Sequence, residues 1–216
     1  MCGRFTLTKP EAIADHFHIT LDRLPPPRYN IAPSQPLGVI CKHAPREFRL
    51  MLWGLIPPWA KDKTNKRLIN ARAETAHEKP SFRAAFKRKR CLIPATGFYE
   101  WRTDKDGKQP FYFHLNHHQL FAFAGLWETW EDIETCTILT TSANDILKPV
   151  HHRMPVILSP QDYRTWLSPT ATAQELRSLL VPFNADHMQA YPVSKAVNTP
   201  TNESPSCIQV LGQTND

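Results

Sequence analysis

Glycine is scarce in this chain, with seven in 216 residues, and none falls at GxGxxG or GxxxxGK spacing. Neither a dinucleotide fingerprint nor a phosphate loop is therefore available. GxSxG and HExxH are missing as well, which removes the serine-elbow hydrolases and the helical zinc-protease signature. The five cysteines, Cys2, Cys41, Cys91, Cys136 and Cys207, form no CxxC pair, so neither a zinc ribbon nor a thioredoxin-type site is expected. Apolar runs such as Phe121 to Trp127 are far too short to span a bilayer. No apolar h-region of a secretory signal follows Met1. No polybasic cluster adjoins Cys2 to supply a second membrane signal. There is no internal repeat and no Gly/Ser linker. The expectation is one domain, cytoplasmic and monomeric, with free thiols in a reducing setting, no membrane partner, no cofactor and no metal.

Proline is abundant instead. Twenty prolines include Pro25-Pro26-Pro27, Pro57-Pro58 and the singles Pro33 and Pro155. Fixed φ angles stiffen loops; most of these residues read as ordinary turn and edge prolines, although stiff loops also suit a site built on them. Eleven Phe, six Trp and five Tyr within 41% hydrophobic residues are enough for a core. The formal charge of +6 favours a polyanionic partner without naming one.

Helix starts are read at Thr8-Lys9-Pro10-Glu11, as a capping box leading to Phe17, at Ser159-Pro160-Gln161-Asp162 through Trp166, and at Thr172-Ala173-Gln174-Glu175 through Leu180. Ser81 is expected to cap a basic helix through Lys87. Strand-like runs are Leu37–Cys41, Phe48–Trp53, Cys91–Ile93, Phe98–Trp101, Phe111–Leu115, Leu120–Leu126, Thr137–Thr140 and Val156–Leu158. Asp104 to Lys108 and Asn116 to Gln119 read as hairpin connections. Strands outnumber helices and follow one another directly. The fold class expected is α+β, a mixed, largely antiparallel sheet forming a barrel-like core with flanking helices. Residues 1–198 would form the domain, and the polar tail 199–216 would be ordered at best in part.

Cys2 immediately follows Met1. With Met1 removed, the chain would begin with a thiol beside a free amine. That aminothiol can condense with an aldehyde to an imine and then close a five-membered thiazolidine on the same carbon. The amine's ordinary pKa of about 8 leaves a useful neutral fraction near neutrality. Position alone equally allows an incidental cysteine behind a retained Met1.

Four polar segments lie in apolar surroundings. In Leu68 to Thr75, Asn70 can hold an amine or polarise a carbonyl and Arg72 can grip a phosphate; alternatively Arg72 pairs with Glu74 and Asn70 caps a turn. In Gly97 to Trp101, Glu100 shares a strand face with Phe98, and Tyr99 shares the other with Trp101. Glu100 either sits in an apolar pocket, with the raised pKa that suits proton transfer, or simply points to solvent. In Val150 to Pro155, neighbouring side chains of an extended stretch diverge, so at most one of His151 and His152 faces a given site. His117-His118 reads as solvated surface, and Lys87 to Arg90 as a charged helix end or a phosphate contact. Trp53 reads as core, within the rigid aromatic stretch Trp53 to Trp59.

Taken in order, these segments resemble the SOS-response-associated peptidase family, also known as abasic-site processing proteins. The resemblance rests on Met1-Cys2-Gly3-Arg4-Phe5, Arg28-Tyr29-Asn30-Ile31-Ala32-Pro33, Trp53-Gly54 through Trp59, Asn70 through Thr75, Gly97 through Trp101, His151-His152-Arg153-Met154-Pro155 and Pro192 through Val197. It implies a single α+β domain around a barrel-like sheet, with a basic groove for single-stranded DNA. It implies removal of Met1 and covalent linkage of Cys2 to abasic sites, whose ring-opened sugar is an aldehyde. By position, Asn70 would orient the Cys2 amine, Glu100 would act as general acid/base, and His151 would assist ring opening and imine formation. Arg4, Arg72 and Arg153 would hold phosphates, and Pro33, Trp59 and Trp101 would support the splayed strand or a neighbouring duplex end. Ala60 follows Trp59 where some relatives carry a second Trp, so stacking there would be weaker. Two alternatives stand beside this reading: an amino-terminal-nucleophile peptidase or amidase using Cys2, and a non-catalytic single-strand binder.

Overall fold

The computed structural model describes residues 2–41, 47–61, 67–105 and 107–212. Expectations resting on Met1, Asp106 and residues 213–216 lie outside the described residues. In chain order the elements are β1 (Phe5–Leu7), α1 (Ile13–Phe17), β2 (Arg28–Ile31), β3 (Pro36–Cys41), β4 (Glu47–Trp53) and β5 (Asn70–Arg72). Then come α2 (Ala73–Ala76), α3 (Arg83–Arg88), β6 (Arg90–Ala95), β7 (Gly97–Asp104), β8 (Gly107–Leu115) and β9 (Phe121–Trp130). The chain continues with β10 (Ile133–Ser142), β11 (Arg153–Pro155), β12 (Ile157–Leu158), α4 (Tyr163–Leu167), α5 (Ala173–Ser178) and β13 (Met188–Pro192).

Two sheets result. One runs β13-β8-β7-β1-β2, and the other runs β11-β10-β4-β3-β6-β9-β12. In the second sheet β9 also pairs with β10, so β10, β4, β3, β6 and β9 close on themselves as a barrel. The pairing is antiparallel except where β4 and β5 run parallel to β10. This is the α+β, barrel-like architecture that the strand-rich pattern predicts. Closure pairs the edges that an open sheet would expose.

Aromatic side chains join the two sheets. Phe5 of β1 meets Trp53 and Phe123 edge-on at 5.3 and 5.6 Å, and Phe98 of β7 reaches Phe123 at 6.0 Å. Trp53 is fully buried and donates from Nε1 to the Ile69 carbonyl, a core role as its sequence context suggests.

Several local expectations are corrected. Thr8 forms no capping box: its hydroxyl and N–H both go to Thr96 Oγ1, and the chain enters α1 through a 3-10 turn at Pro10–Ala12. Ser81 is not the cap of α3, whose N-cap is Phe82 without a side-chain bond. Thr172 and Glu175 do form the reciprocal box expected of them. Asn116 to Gln119 is not a hairpin turn, because β8 and β9 belong to different sheets. Of the basic run, Arg90 is buried and donates to the carbonyls of Phe86, Lys87, Trp166 and Ser168, while Lys89 pairs with Glu128. The part of the tail from Thr199 to Leu211 is docked, with the Leu211 N–H donating to the Pro192 carbonyl. Cys207 is buried with Tyr99, Tyr112, Val193 and Val197, and Val210 bridges to Val193.

Candidate active site

Strand β10 is the spine of the site. Along its first half it pairs with β9 and β4; beyond Ile138 those neighbours end, and β5 takes one edge while β11 takes the other. Thr140 therefore lies between Arg72 of β5 and Pro155 of β11, and Ser142 faces Arg153. Two segments far apart in sequence, Asn70–Arg72 and Arg153–Pro155, are brought to one place by a single strand.

The amino-terminal segment closes over this place from the other sheet. The Tyr99 N–H donates to the Arg4 carbonyl at 3.0 Å, continuing the β1–β7 pairing toward the start of the chain. Cys2 is thereby carried alongside Glu100, near enough for the carboxylate's charge to act on its thiol. From the barrel side, Asn70 Nδ2 donates to the Cys2 carbonyl at 2.8 Å. The amide's other atom, Oδ1, is buried and has no hydrogen-bond partner among the described residues. An acceptor so placed next to the first residues of the chain is suited to an amine N–H. Asn70 thus caps no turn: it is a strand residue that ties the chain's start to β10's neighbour.

Glu100 is buried, not solvated. The alternation along β7 holds, since Phe98 joins the main core while Tyr99 and Trp101 pack in a second cluster. Both faces are covered, one by the barrel and one by the carboxy-terminal segment, so neither direction leads to water at this position. Burial holds the Glu100 carboxyl above the usual carboxylate range, with the positive chain terminus and the Trp101 N–H pulling the other way. Burial, reinforced by the Glu100 charge, also pushes the Cys2 thiol far up. The thiol lies 3.8 Å from the Arg4 carbonyl, toward which it donates.

His151 is half-buried, and burial foremost holds its ring below the ordinary histidine value. The Arg153 N–H donates to His151 Nδ1 at 3.0 Å. The Arg153 carbonyl lies 3.2 Å from the same nitrogen, so Arg153 fixes the ring's orientation through both of its backbone groups. His152 is exposed, but its ring stacks on that of His151 at 4.5 Å, so the two neighbouring side chains do not diverge as an extended stretch predicts.

The residues proposed for phosphate fall into different environments. Arg72 is exposed and does not make the Arg72–Glu74 pairing, because Glu74 takes both nitrogens of Arg153 at 2.6 and 2.9 Å. Arg153 further donates to the Thr140 carbonyl at 2.6 Å, which braces β11 against β10 and α2. That arginine hydrogen bond is the main cause of the lowered pKa of Glu74. Arg4 is half-buried, and its Nη1 donates to the Val197 carbonyl at 3.1 Å. Trp59 is 64% exposed on a turn, Pro33 sits in the turn after β2, and Trp101 donates from Nε1 to Asn198 Oδ1 at 2.8 Å. Two clefts elsewhere, about 1070 Å³ beside Leu24 and Leu50 and about 660 Å³ beside Lys9 and His118, contain none of these residues.

Sequence reasoning missed Thr140, Val197, Asn198 and the buried Asn30, which hold the named residues in place. Asn30 and Val197 stood within quoted motifs, so the signal was present without an assignment.

Known proteins share this arrangement's sequence and shape. A family model described as SOS response associated peptidase (SRAP) matches residues 1–200. The abasic site processing protein YoqW of Bacillus subtilis is 48% identical over 97% of this chain and 99% of its own length. The abasic site processing protein YedK of Escherichia coli is 31% identical, covering 97% of this chain and 99% of its own. A crystal structure of a protein from Bacteroides thetaiotaomicron has a TM-score of 0.89 to this chain at 30% identity, covering 97% of this chain and 99% of its own.

Proposed function

The chain belongs to the SOS response associated peptidase family, and we propose that it processes abasic sites in DNA by joining Cys2 covalently to the ring-opened sugar. The observation that carries this reading is the convergence of Asn70, Glu100 and the first residues of the chain: an amide bonded to the Cys2 carbonyl, with an unused buried acceptor, beside a buried carboxyl.

In the proposed sequence Met1 is first removed. The Cys2 amine attacks the C1′ aldehyde, and loss of one water gives an imine; Asn70 orients the amine through Oδ1. The thiol then adds to the imine carbon, forming the S–C bond while its proton passes to nitrogen. Glu100, held above the usual carboxylate range, is suited to carry protons between these atoms near neutrality. His151, its ring oriented by the Arg153 backbone and its pKa lowered mainly by burial, exchanges a proton with the sugar oxygen during ring opening. The raised pKa of the thiol makes the amine the first nucleophile. It also weighs against the amidase alternative, which needs a standing thiolate.

The partner proposed is abasic single-stranded DNA, or a single-strand/duplex junction, bound by a monomer in the cytoplasm at the nucleoid. Arg4, Arg72 and Arg153 are assigned to phosphates, and Pro33, Trp59 and Trp101 to the displaced strand. An associated lyase or peptidase activity would use the same imine or the same thiol.

The test is direct. Purified protein, with Met1 removal verified by intact mass, is incubated with a uracil-excised single-stranded oligonucleotide. A denaturant-resistant, slower-migrating species is expected, lost in Cys2→Ala. Cys2→Ala and Cys2→Ser both keep the terminal amine, so each should still be trapped as an imine on the oligonucleotide by borohydride. No such species from the wild-type protein overturns the reading.

A further inference from the structure

Two motifs have no part in that chemistry, Arg28-Tyr29-Asn30 and Ser194 to Val197. In the fold they meet. Asn30 is fully buried on β2, and its side-chain nitrogen faces three carbonyls of the carboxy-terminal segment: Val197 at 3.1 Å, Thr199 at 3.0 Å and Asn202 at 2.9 Å. Only an NH2 group suits three acceptors at once, which fixes the orientation of the amide. Glu203 closes the same junction from the opposite direction. Its carboxylate accepts from the backbone N–H groups of Tyr29 and Asn30 and from Arg28 Nε.

The segment so fastened holds two residues assigned to DNA. The Val197 carbonyl that accepts from Asn30 also accepts from Arg4 Nη1, and Asn198 accepts from Trp101 Nε1. We infer that Asn30 and Glu203 form a latch that docks residues 197–203 and, through Val197 and Asn198, positions Arg4 and Trp101 for the DNA strand. Asn30 is a positioning residue: it acts through Arg4. The inference rests on the proposed function for what Arg4 and Trp101 contact; the latch itself rests on hydrogen bonds in which Cys2 takes no part.

Asn30→Asp is the sharpest probe, because it keeps the shape and replaces the donor by an acceptor facing three carbonyl oxygens. Affinity for an intact single-stranded oligonucleotide, read by fluorescence anisotropy, should fall about tenfold, the scale of losing one charge-assisted contact. In combination with Arg4→Ala the two losses should add only in part, since both remove the same presented guanidinium and Asn30→Asp loses Trp101 besides. A general loosening of the fold would instead add to the Arg4 loss. Limited proteolysis should cut Asn30→Asp within 199–212, and Asn198→Ala, at an exposed position, should weaken binding without new cleavage. Should Asn30→Asp yield no folded protein, Glu203→Gln is measured in the same way and with the same expectations.

Unchanged affinity, or strict additivity with Arg4→Ala, overturns the latch. Crosslinking of wild-type protein to the abasic oligonucleotide, run in parallel, separates the two ideas. A wild-type crosslink with additive losses sinks the latch alone, and non-additive losses without any crosslink sink the covalent reading alone.

Discussion

Glu100 owes its chemistry to an environment that works against its own charge. It sits on a strand covered on both faces, and burial outweighs the N–H and the positive terminus that favour its ionised form. A carboxyl whose folded pKa exceeds its unfolded one contributes stability fully below the unfolded value and loses it as pH rises through the folded value. Glu100→Gln removes that loss. Its melting temperature should match the wild type near about pH 4 and exceed it increasingly toward about pH 8, in thermal scans at several pH values. The same variant should slow crosslinking about a hundredfold or more. Equal pH dependence in the two proteins would show that Glu100 is not burdened by burial. The Arg153–Glu74 pair teaches a different lesson: a guanidinium already held by a carboxylate and a carbonyl is fixed in direction. Removing Glu74 leaves a half-buried cation short of partners, so Glu74→Ala should perturb β11 as well as any phosphate contact.

The sheet junction where β7 begins has little room. A side chain at Gly97 would bring its Cβ within 2.3 Å of the Tyr112 ring, whose hydroxyl lies 2.9 Å from Thr6 of β1. Gly97→Ala should therefore cost about 1–3 kcal/mol in urea unfolding, by overpacking; an unchanged midpoint would show that Tyr112 can withdraw. The elements that were legible in sequence are those that carry their own signal. The alternating runs of β3, β4 and β7 to β10 were recognised, as was the box at Thr172. Strands β1, β2, β5, β11 and β13 went unread: the first four have only three or four residues, β13 has five, and all are held by partners supplied elsewhere. Thr8 misled for a related reason: its hydroxyl has a better partner in Thr96, on a distant strand, than in its own helix. Cys2, Asn70, Glu100 and His151 could be named from their motifs. What brings Asn70 and His151 toward the chain's start is the exchange of neighbours along β10, which no local pattern records.

Across the whole molecule the thiols are enclosed. Cys2, Cys41, Cys91, Cys136 and Cys207 are all buried and free. Burial raises the pKa of Cys41 to about 12 and lifts Cys91 and Cys136 as well. A thiol reagent should find Cys41, Cys91, Cys136 and Cys207 unreactive in the folded protein, and titrate all five only in denaturant. Fast labelling of any of these four would contradict the packing described. The formal charge of +6, by contrast, acts at long range on polyanions. Binding to DNA should therefore weaken linearly in logarithm of affinity against logarithm of salt, by counterion release.

The docking of residues 197–211 also bears on when the protein becomes competent. Chains emerge from the ribosome amino terminus first, so Cys2 is made at the outset, while Val197 and Glu203, whose bonds hold Arg4 and the Arg28–Asn30 strand, come near the end. The seat of Arg4 and of the Arg28–Asn30 strand is thus completed by residues made long after the strand they hold.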